Sequence, residues 1–134
     1  MSQENVEIVR EAFEAFNEGD LEAVVGICDP AIEWLPPAEL PSSSTYHGHQ
    51  GVRDATGDML DLFSGLRAEP ERLIDAGDQV VVLFMWRGRA KGSGLSLEQF
   101  GKQAGVFTMR GGKAVKVEWY LDRATALDAA GVSE

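Results

Sequence analysis

The first part of the chain carries apolar residues at helical spacing. They recur every three or four positions, at Val6, Val9, Phe13 and Phe16. This spacing predicts an amphipathic helix that ends near Gly19, since glycine readily adopts the left-handed conformation that closes a helix. Asp20 is then placed to cap a second helix, whose apolar side extends to Cys28. The pair Asp29-Pro30 is predicted to end that helix, and a short strand follows at residues 32–35.

Residues 36–51 show neither hydrophobic period and are rich in Pro, Ser, Gly and His, which predicts a long loop at the surface or at a pocket mouth. Helical spacing returns afterwards, at Val52, Ala55, Met59, Leu60 and Phe63. It predicts a third helix, although Gly57 lowers the helix's intrinsic stability by about 1 kcal/mol relative to alanine.

The second half of the chain has the alternating pattern of strands. Strand-like stretches cover residues 67–75, 79–89, 95–110 and 114–121, and an alanine-rich tail at 122–134 predicts a closing helix. Because no helices separate these strands, the pattern indicates an antiparallel sheet with helices on one face. The length of 134 residues suits one α+β domain that covers residues 1–134.

Alternation along the strands assigns two sets of residues to the inner face of the sheet. They are Val115, Val117, Trp119 and Leu121 in the last strand, and Val80, Val82, Phe84 and Trp86 in a central strand. A three-residue turn at residues 110–112 would place Phe107 opposite Val115 and Gln103 opposite Trp119. A two-residue turn would instead move Phe107 to the polar face and lose about 1.5–3 kcal/mol of burial free energy. The three-residue turn is therefore predicted.

The outer face of the predicted sheet is apolar as well. It carries Val81, Leu83, Met85, Val106 and Tyr120. An apolar stripe of this size on a protein surface marks an interface, so we expect a homodimer that pairs the outer sheet faces of two copies. The alternative is that the C-terminal segment folds over the same stripe.

The charge balance excludes several classes of partner. Twenty-two acidic and twelve basic residues leave a net charge of −10, which repels nucleic acid and anionic membrane surfaces. The longest apolar run is far shorter than the ~20 residues of a membrane span. A start without a signal-peptide pattern and a single cysteine favour a cytoplasmic location. No phosphate-binding or dinucleotide motif is present, so no cofactor is predicted.

Aromatic residues dominate the predicted interior. The set that we expect to line a cavity and bind a small hydrophobic or aromatic molecule is Phe13, Phe16, Trp34, Trp86, Gln103, Phe107, Val117 and Trp119. By the same alternation Gln99 lies on this face with Gln103, and a buried amide needs a partner, which a ligand can supply. The alternative is that the rings fill the core and that a backbone group satisfies the amide.

Acid-base chemistry near neutral pH has few candidates here. His47 and His49 lie in one loop, and Asp122 follows the last strand, so these three are the candidate catalytic residues. No third ligand lies near the two histidines, and no metal site is predicted. The structural alternatives are a histidine that caps the third helix and an Asp122 that caps the closing helix or pairs with an arginine. Cys28 is predicted to be a buried, inert thiol.

Four segments of the sequence resemble one family. They are residues 13–20 (FEAFNEGD), 29–34 (DPAIEW), 46–53 (YHGHQGVR) and 110–123, which runs from Arg-Gly-Gly-Lys to Tyr-Leu-Asp-Arg. With them the chain is similar, over nearly its whole length, to SnoaL-like proteins of the nuclear transport factor 2-like superfamily. The resemblance implies a cone in which a strongly bent, mixed or antiparallel sheet wraps around three helices, with a deep pocket and frequent dimerisation across the outer sheet face.

The resemblance implies less about activity, because the superfamily includes polyketide cyclases, ketosteroid isomerases and proteins that only bind. The positions of the isomerase's tyrosine and its two aspartates correspond to Ala12, Trp34 and Gly105, none of which can do that chemistry. The leading hypothesis is therefore ligand binding without established catalysis. The alternatives are a cofactor-independent lyase, isomerase or cyclase acting on a polyketide-like carbonyl compound, with a His or Asp as base, and a structural dimerisation module.

Overall fold

Helices and short strands alternate in the first half of the chain, and long strands fill the second. This computed structural model describes residues 2–37, 40 and 44–132. The helices are α1 (Ser2–Asn17), α2 (Leu21–Gly26), α3 (Gly48–Leu62) and α4 (Arg123–Ala129). The strands are β1 (Cys28–Leu35), β2 (Tyr46–His47), β3 (Phe63–Ala76), β4 (Gln79–Ala90), β5 (Lys102–Arg110) and β6 (Lys113–Tyr120), with a 3₁₀ helix at Leu97–Phe100.

The first helix and its end match the predicted pattern. Gly19 has a φ of +82°, and the Asp20 side chain accepts a hydrogen bond from the Ala23 amide to cap α2. The predicted length of α2 was wrong, since the helix stops at Gly26 and Cys28 begins β1. The pair Asp29-Pro30 lies inside β1, in the stretch where its pairing with β6 is irregular. That irregularity tolerates a residue without an amide hydrogen.

The predicted loop at residues 36–51 is shorter than expected. Strand β2 pairs with β1 through Trp34↔Tyr46, and α3 begins directly afterwards at Gly48. Gly51 lets the helix lie against β2, because a Cβ at this position would be only 3.0 Å from the Tyr46 carbonyl carbon. A strand of two residues is too short to show a period in the sequence.

The predicted strand at residues 95–110 is also shorter. Leu97–Phe100 form a 3₁₀ helix, Gly101 turns the chain with a φ of +75°, and β5 begins only at Lys102. Gln99 is exposed in this segment and does not share the inner face with Gln103, so its assignment to that face was wrong.

One mixed sheet runs through the described residues in the order β2-β1-β6-β5-β4-β3. Strands β1 and β6 are parallel, and every other neighbouring pair is antiparallel. The predicted α+β class is confirmed, and the parallel contact between β1 and β6 makes the sheet mixed rather than purely antiparallel.

The turn between β5 and β6 corrects the predicted register. Arg110 pairs with Lys113, so the turn has two residues, Gly111 and Gly112, both at positive φ as this tight hairpin turn requires. The pairing then jumps from Met109↔Ala114 to Thr108↔Lys116, which leaves Val115 as an extra residue in a β-bulge. The bulge returns Phe107 to the inner face opposite Val117 and places Gly105 opposite Trp119.

Two hydrophobic clusters lie on opposite faces of the sheet. The inner cluster joins α1, α2 and α3 to the sheet through residues such as Val9, Phe13 and Phe84. The outer cluster contains Val81, Leu83, Ala104, Val106, Ala126 and Leu127. Helix α4 therefore packs on the outer face, which is the alternative arrangement expected for the C-terminal segment. The homodimer across this face stays a prediction.

None of the helices in the described part of the chain is both long and apolar enough to cross a membrane.

Candidate functional site

A cavity of about 710 Å³ lies between the helices and the inner face of the sheet. Its inner walls are aromatic and aliphatic side chains of α1, α3 and strands β1, β4, β5 and β6. The mouth carries large apolar residues that remain exposed, namely Leu40, Leu62 and Phe100. A cavity of this size suits a small organic molecule.

Trp119 stands at the centre of the aromatic wall. Its ring centroid lies 5.4 Å from Trp34, 5.5 Å from Phe84, 5.7 Å from Phe107 and 6.3 Å from Phe13. These are edge-on or tilted contacts at the distances that aromatic pairs favour. The contacts hold the indole in place while part of it faces the cavity.

Gly105 makes room for this indole. A Cβ at Gly105 would lie 2.6 Å from Cζ3 of Trp119 and 2.9 Å from its Cε3, closer than real Cβ contacts allow. Since Gly105 pairs directly with Trp119 across β5 and β6, the ring covers the backbone where a side chain would stand. The position that the resemblance assigned to an isomerase aspartate is therefore occupied by the ring of its neighbour.

Gln103, with a relative exposure of 7%, is one of two buried polar residues among the described residues of the cavity wall, and Thr56 is the other. None of the hydrogen bonds among the described residues involves the side-chain amide of Gln103, and no described side-chain nitrogen or oxygen is both sealed from solvent and unbonded, so the amide is open to the cavity. Its backbone is held by Arg123, whose Nε donates to the Gln103 carbonyl at 3.1 Å and whose Nη2 donates to the Phe84 carbonyl at 3.0 Å. The amide thus offers a donor and an acceptor to whatever enters the cavity.

Other polar groups lie nearer the mouth or are already bonded. The Thr56 hydroxyl donates to the Val52 carbonyl at 2.8 Å, as buried helical threonines commonly do. The Tyr46 hydroxyl has no partner among the described residues. Asp58 and Asp61 line the mouth and are exposed.

Seven of the eight predicted binding residues lie on the cavity wall. They are Phe13, Phe16, Trp34, Trp86, Gln103, Phe107 and Trp119. Val117 is fully buried in the core and is not among the lining residues. Their role in binding a ligand stays a prediction, since a position on the wall is not itself a contact with a ligand.

Sequence reasoning missed most of the mouth. Asp58, Asp61, Leu62 and Phe100 carried no signal, because an exposed residue at the rim of a cavity has the same pattern as one on any solvated surface. Ala12 was noted only through the resemblance, yet it lines the cavity with Trp34. Met59 and Ala55 lie on the predicted apolar side of α3, and their helical spacing was the available signal.

The candidate catalytic residues lie away from the cavity wall. His47 is exposed on β2, and His49 Nε2 donates to the Cys28 carbonyl at 2.8 Å, which ties α3 to β1. Asp122 caps α4, where it accepts hydrogen bonds from the Ala124 and Thr125 amides. None of the three lines the cavity, so the structure does not place a predicted base there. Within the described residues no three His, Cys, Asp or Glu side chains gather as metal ligands.

The surroundings of the Asp122 carboxyl and of the Cys28 thiol shift their pKa values. A hydrogen bond from the Thr125 hydroxyl at 2.7 Å is the main cause that lowers the pKa of the Asp122 carboxyl, and the backbone amides of α4 add to it. Burial raises the pKa of the Cys28 thiol to about 12, and its Sγ donates to the Val24 carbonyl. The predicted burial of Cys28 is confirmed. The inertness of the thiol stays a prediction, which the raised pKa supports.

A curved mixed sheet packed against helices is the architecture of the nuclear transport factor 2-like class of α+β proteins. The chain matches the model of the SnoaL-like domain over residues 9–117, and it therefore belongs to the SnoaL-like family. The comparison with curated proteins gave no match.

Solved structures agree with this class. A nuclear transport factor 2-like protein of unknown function from Burkholderia pseudomallei is 28% identical, with a TM-score of 0.76 over 93% of this chain and 95% of that one. Bal32a, from a soil-derived mobile gene cassette, is 19% identical with a TM-score of 0.78 over 89% of both chains. A putative polyketide cyclase from Sinorhizobium meliloti is 20% identical with a TM-score of 0.66, over 84% of this chain and 93% of that one. The last two likenesses show the shared fold.

Proposed function

We propose that the protein binds a small hydrophobic or aromatic molecule in its cavity. The observation that supports this most directly is the unpartnered amide of Gln103, which is 7% exposed and lies on a wall that is otherwise built mainly from apolar side chains. Water in the cavity can reach this amide, whose nitrogen donates and whose oxygen accepts hydrogen bonds. A ligand with a carbonyl, hydroxyl or amine group would replace that water with a hydrogen bond to the amide and would be oriented by it.

The aromatic wall supplies the remaining affinity. A flat ring that lies against Phe16, Trp86 and Trp119 would exchange water contacts for apolar ones, which stabilises binding by about 25 cal/mol per Å² buried. The Phe16 and Trp86 ring centroids are 5.8 Å apart in an edge-on contact, so the wall is ordered before a ligand arrives. A preorganised wall lowers the entropic cost of binding.

The placement of ionisable groups favours binding over catalysis. A cyclase or isomerase of this type needs a base beside the substrate carbonyl, and the inner end of the cavity offers the amide of Gln103, which does not titrate. The carboxylates that line the cavity, Asp58 and Asp61, stand at its exposed mouth. The open volume also argues for a ligand rather than for a purely structural dimerisation module. The cytoplasmic location and the homodimer remain expectations.

The test uses a matched pair of probes, 2-naphthol and 2-methylnaphthalene, which have similar size and differ in the hydroxyl group. Calorimetric titration is expected to show tighter binding of 2-naphthol by the wild type, and Gln103→Leu is expected to weaken 2-naphthol about tenfold while leaving 2-methylnaphthalene nearly unchanged.

Ala12→Phe places a ring in the cavity and is therefore expected to weaken the binding of both probes. Ala23→Phe on the exposed side of α2 is the control and should leave both probes unaffected. If neither probe binds the folded wild type, or if Ala12→Phe has no effect, the cavity is not the binding site.

A further inference from the structure

Charge is distributed unevenly around the cavity. Asp58 and Asp61 are its charged lining residues, and none of the described lining residues is Lys, Arg or His. The two carboxylates are three positions apart on α3, so they lie on the same side of the helix. Both are exposed at the mouth, next to the exposed side chain of Leu62.

Arg87, which follows the cavity residue Trp86 in the sequence, has its charge neutralised by two carboxylates. Arg87 follows Trp86 on β4, and its guanidinium pairs with Glu69 and, at 3.4 Å, with Glu98. The Glu69 hydrogen bond also raises the pKa of the Arg87 guanidinium. Two carboxylates around one guanidinium leave little positive potential for an entering anion.

An anion would therefore meet two obstacles. At the mouth it would pass the carboxylates of Asp58 and Asp61, within the field of a chain whose net charge is −10. Further in, it would lose its hydration without a cation to replace it, and an unpaired buried charge is strongly unfavourable. A neutral molecule meets neither obstacle, and a positive group at its outer end would be attracted by the two carboxylates.

We propose that the cavity selects uncharged aromatic molecules, or those with a positive group at the mouth, and rejects the anionic form of the same ring system. This inference rests on the proposed function and names the ligand class of that same site. Two observations support it. The cavity interior is apolar apart from a few uncharged polar groups such as the amide of Gln103, and the mouth carries the carboxylates of Asp58 and Asp61.

The experiment compares two fluorescent probes with the same ring system. N-phenyl-1-naphthylamine is neutral, and 8-anilinonaphthalene-1-sulfonate adds one negative group. Titration of the full chain at low ionic strength is expected to show the neutral probe binding at least about tenfold more tightly. Asp58→Asn with Asp61→Asn is expected to raise the affinity for the anionic probe about threefold relative to the affinity for the neutral probe.

The control removes two charges elsewhere, with Asp54→Asn and Asp128→Asn, both exposed and neither a lining residue. Equal affinity of the two probes for the wild type overturns the inference and leaves the proposed function standing. An equal gain for the anionic probe in the control variant overturns the role of the mouth carboxylates. Failure of the neutral probe to bind folded wild type, or insensitivity of its binding to Ala12→Phe, contradicts the proposed function itself.

Discussion

The two faces of the sheet are both apolar but differ in how they are filled. The inner face carries large rings, and those of Trp86, Phe107 and Trp119 border the open cavity. The outer face carries smaller aliphatic side chains, such as Val81 and Leu83, which pack against α4. The difference teaches that apolar patterning predicts burial on both faces, whereas the size and shape of the side chains decide whether burial leaves a space.

Rigid rings border the open inner face. An indole or a phenyl ring keeps its shape and favours edge-on contacts, so the rings around Trp119 form a fixed wall beside the cavity. On the outer face, valine, leucine and alanine side chains of the sheet form one buried cluster with Ala126 and Leu127 of α4. We therefore expect changes on the outer face to alter stability alone, and changes on the inner face to alter ligand binding as well.

The largest stability effect is expected from Leu83→Ala on the outer face. Leu83 is 3% exposed in the cluster with Ala126 and Leu127, so the truncation should lower the free energy of unfolding by about 2–5 kcal/mol. Urea denaturation measures the loss. Leu95→Ala, at a leucine that is 42% exposed, should change the free energy of unfolding by less than about 0.5 kcal/mol. A weaker affinity of folded Leu83→Ala for N-phenyl-1-naphthylamine would contradict the division between the faces.

Gly105→Ala should combine both effects. The added Cβ collides with the Trp119 ring, whose open side is the cavity, so the indole must shift into the binding space. We expect a loss of about 1–3 kcal/mol in the free energy of unfolding, weaker probe binding and a changed tryptophan emission.

Gly57→Ala on α3 is the matched control for Gly105→Ala, because nothing lies within 4 Å of a Cβ at Gly57. Since alanine is the better helix former, the free energy of unfolding of this variant should increase by about 0.5–1 kcal/mol. Identical stability and affinity in the two variants would show that Gly105 is not needed to seat the indole.

Arg123→Met tests the connection between the two faces. The guanidinium joins the start of α4 to the Gln103 and Phe84 carbonyls and to Glu71. Loss of the guanidinium should lower the free energy of unfolding by about 1–3 kcal/mol. Because Gln103 is then less firmly held, the preference for binding 2-naphthol over 2-methylnaphthalene should also decrease. Arg10→Met, at an exposed pair with Glu7, serves as the control and should change neither quantity. An unchanged probe preference in Arg123→Met would limit the arginine to a structural role.

The smallest effect is expected at the cap of α4, in acid. The hydrogen bond from Thr125 lowers the pKa of Asp122 below its ordinary value, so its stabilisation is complete above that value and is lost as pH falls through the lowered pKa. Asp122→Asn should flatten the acid side of the stability profile between about pH 5 and pH 2. Thermal unfolding across this range measures the change, and Asp128→Asn in the same helix is the control. If the stability of Asp122→Asn falls with decreasing pH as steeply as that of the wild type, the capping role of Asp122 is contradicted.

The elements with a clear period were predictable. The apolar face of α1 and the alternation along β4 were correct, because a helix face or strand face that meets a core must repeat its apolar residues. The register between β5 and β6 was not predictable. A three-residue turn without a bulge and a two-residue turn with a bulge at Val115 both place Phe107 on the inner face, so the hydrophobic pattern does not distinguish them. The sequence pattern for the two-residue turn was the pair Gly111-Gly112, both of which adopt positive φ.

The candidate site was predictable in its walls and not in its mouth. Seven predicted residues lie on the cavity wall. Strand alternation had assigned residues such as Trp86 and Trp119 to the inner face, and helical spacing had placed Phe13 and Phe16 on the apolar side of α1. The candidate base His49 instead bonds to the Cys28 carbonyl, an interaction across 21 positions that no local pattern shows. The unpartnered state of Gln103 was likewise invisible, since it depends on which groups fail to come near it.

Hydrophobic periodicity alone determined the α+β class, the inner and outer faces of the long strands and the aromatic character of the interior, because these follow from which side of each element must avoid water. Only the tertiary structure decided that α4 covers the outer face, that the ring of Trp119 lies over Gly105, and that Asp58 and Asp61 stand at the mouth. The physical reason is that a cavity and its charges depend on the distances between elements, and those distances are set by packing rather than by the pattern within any one element.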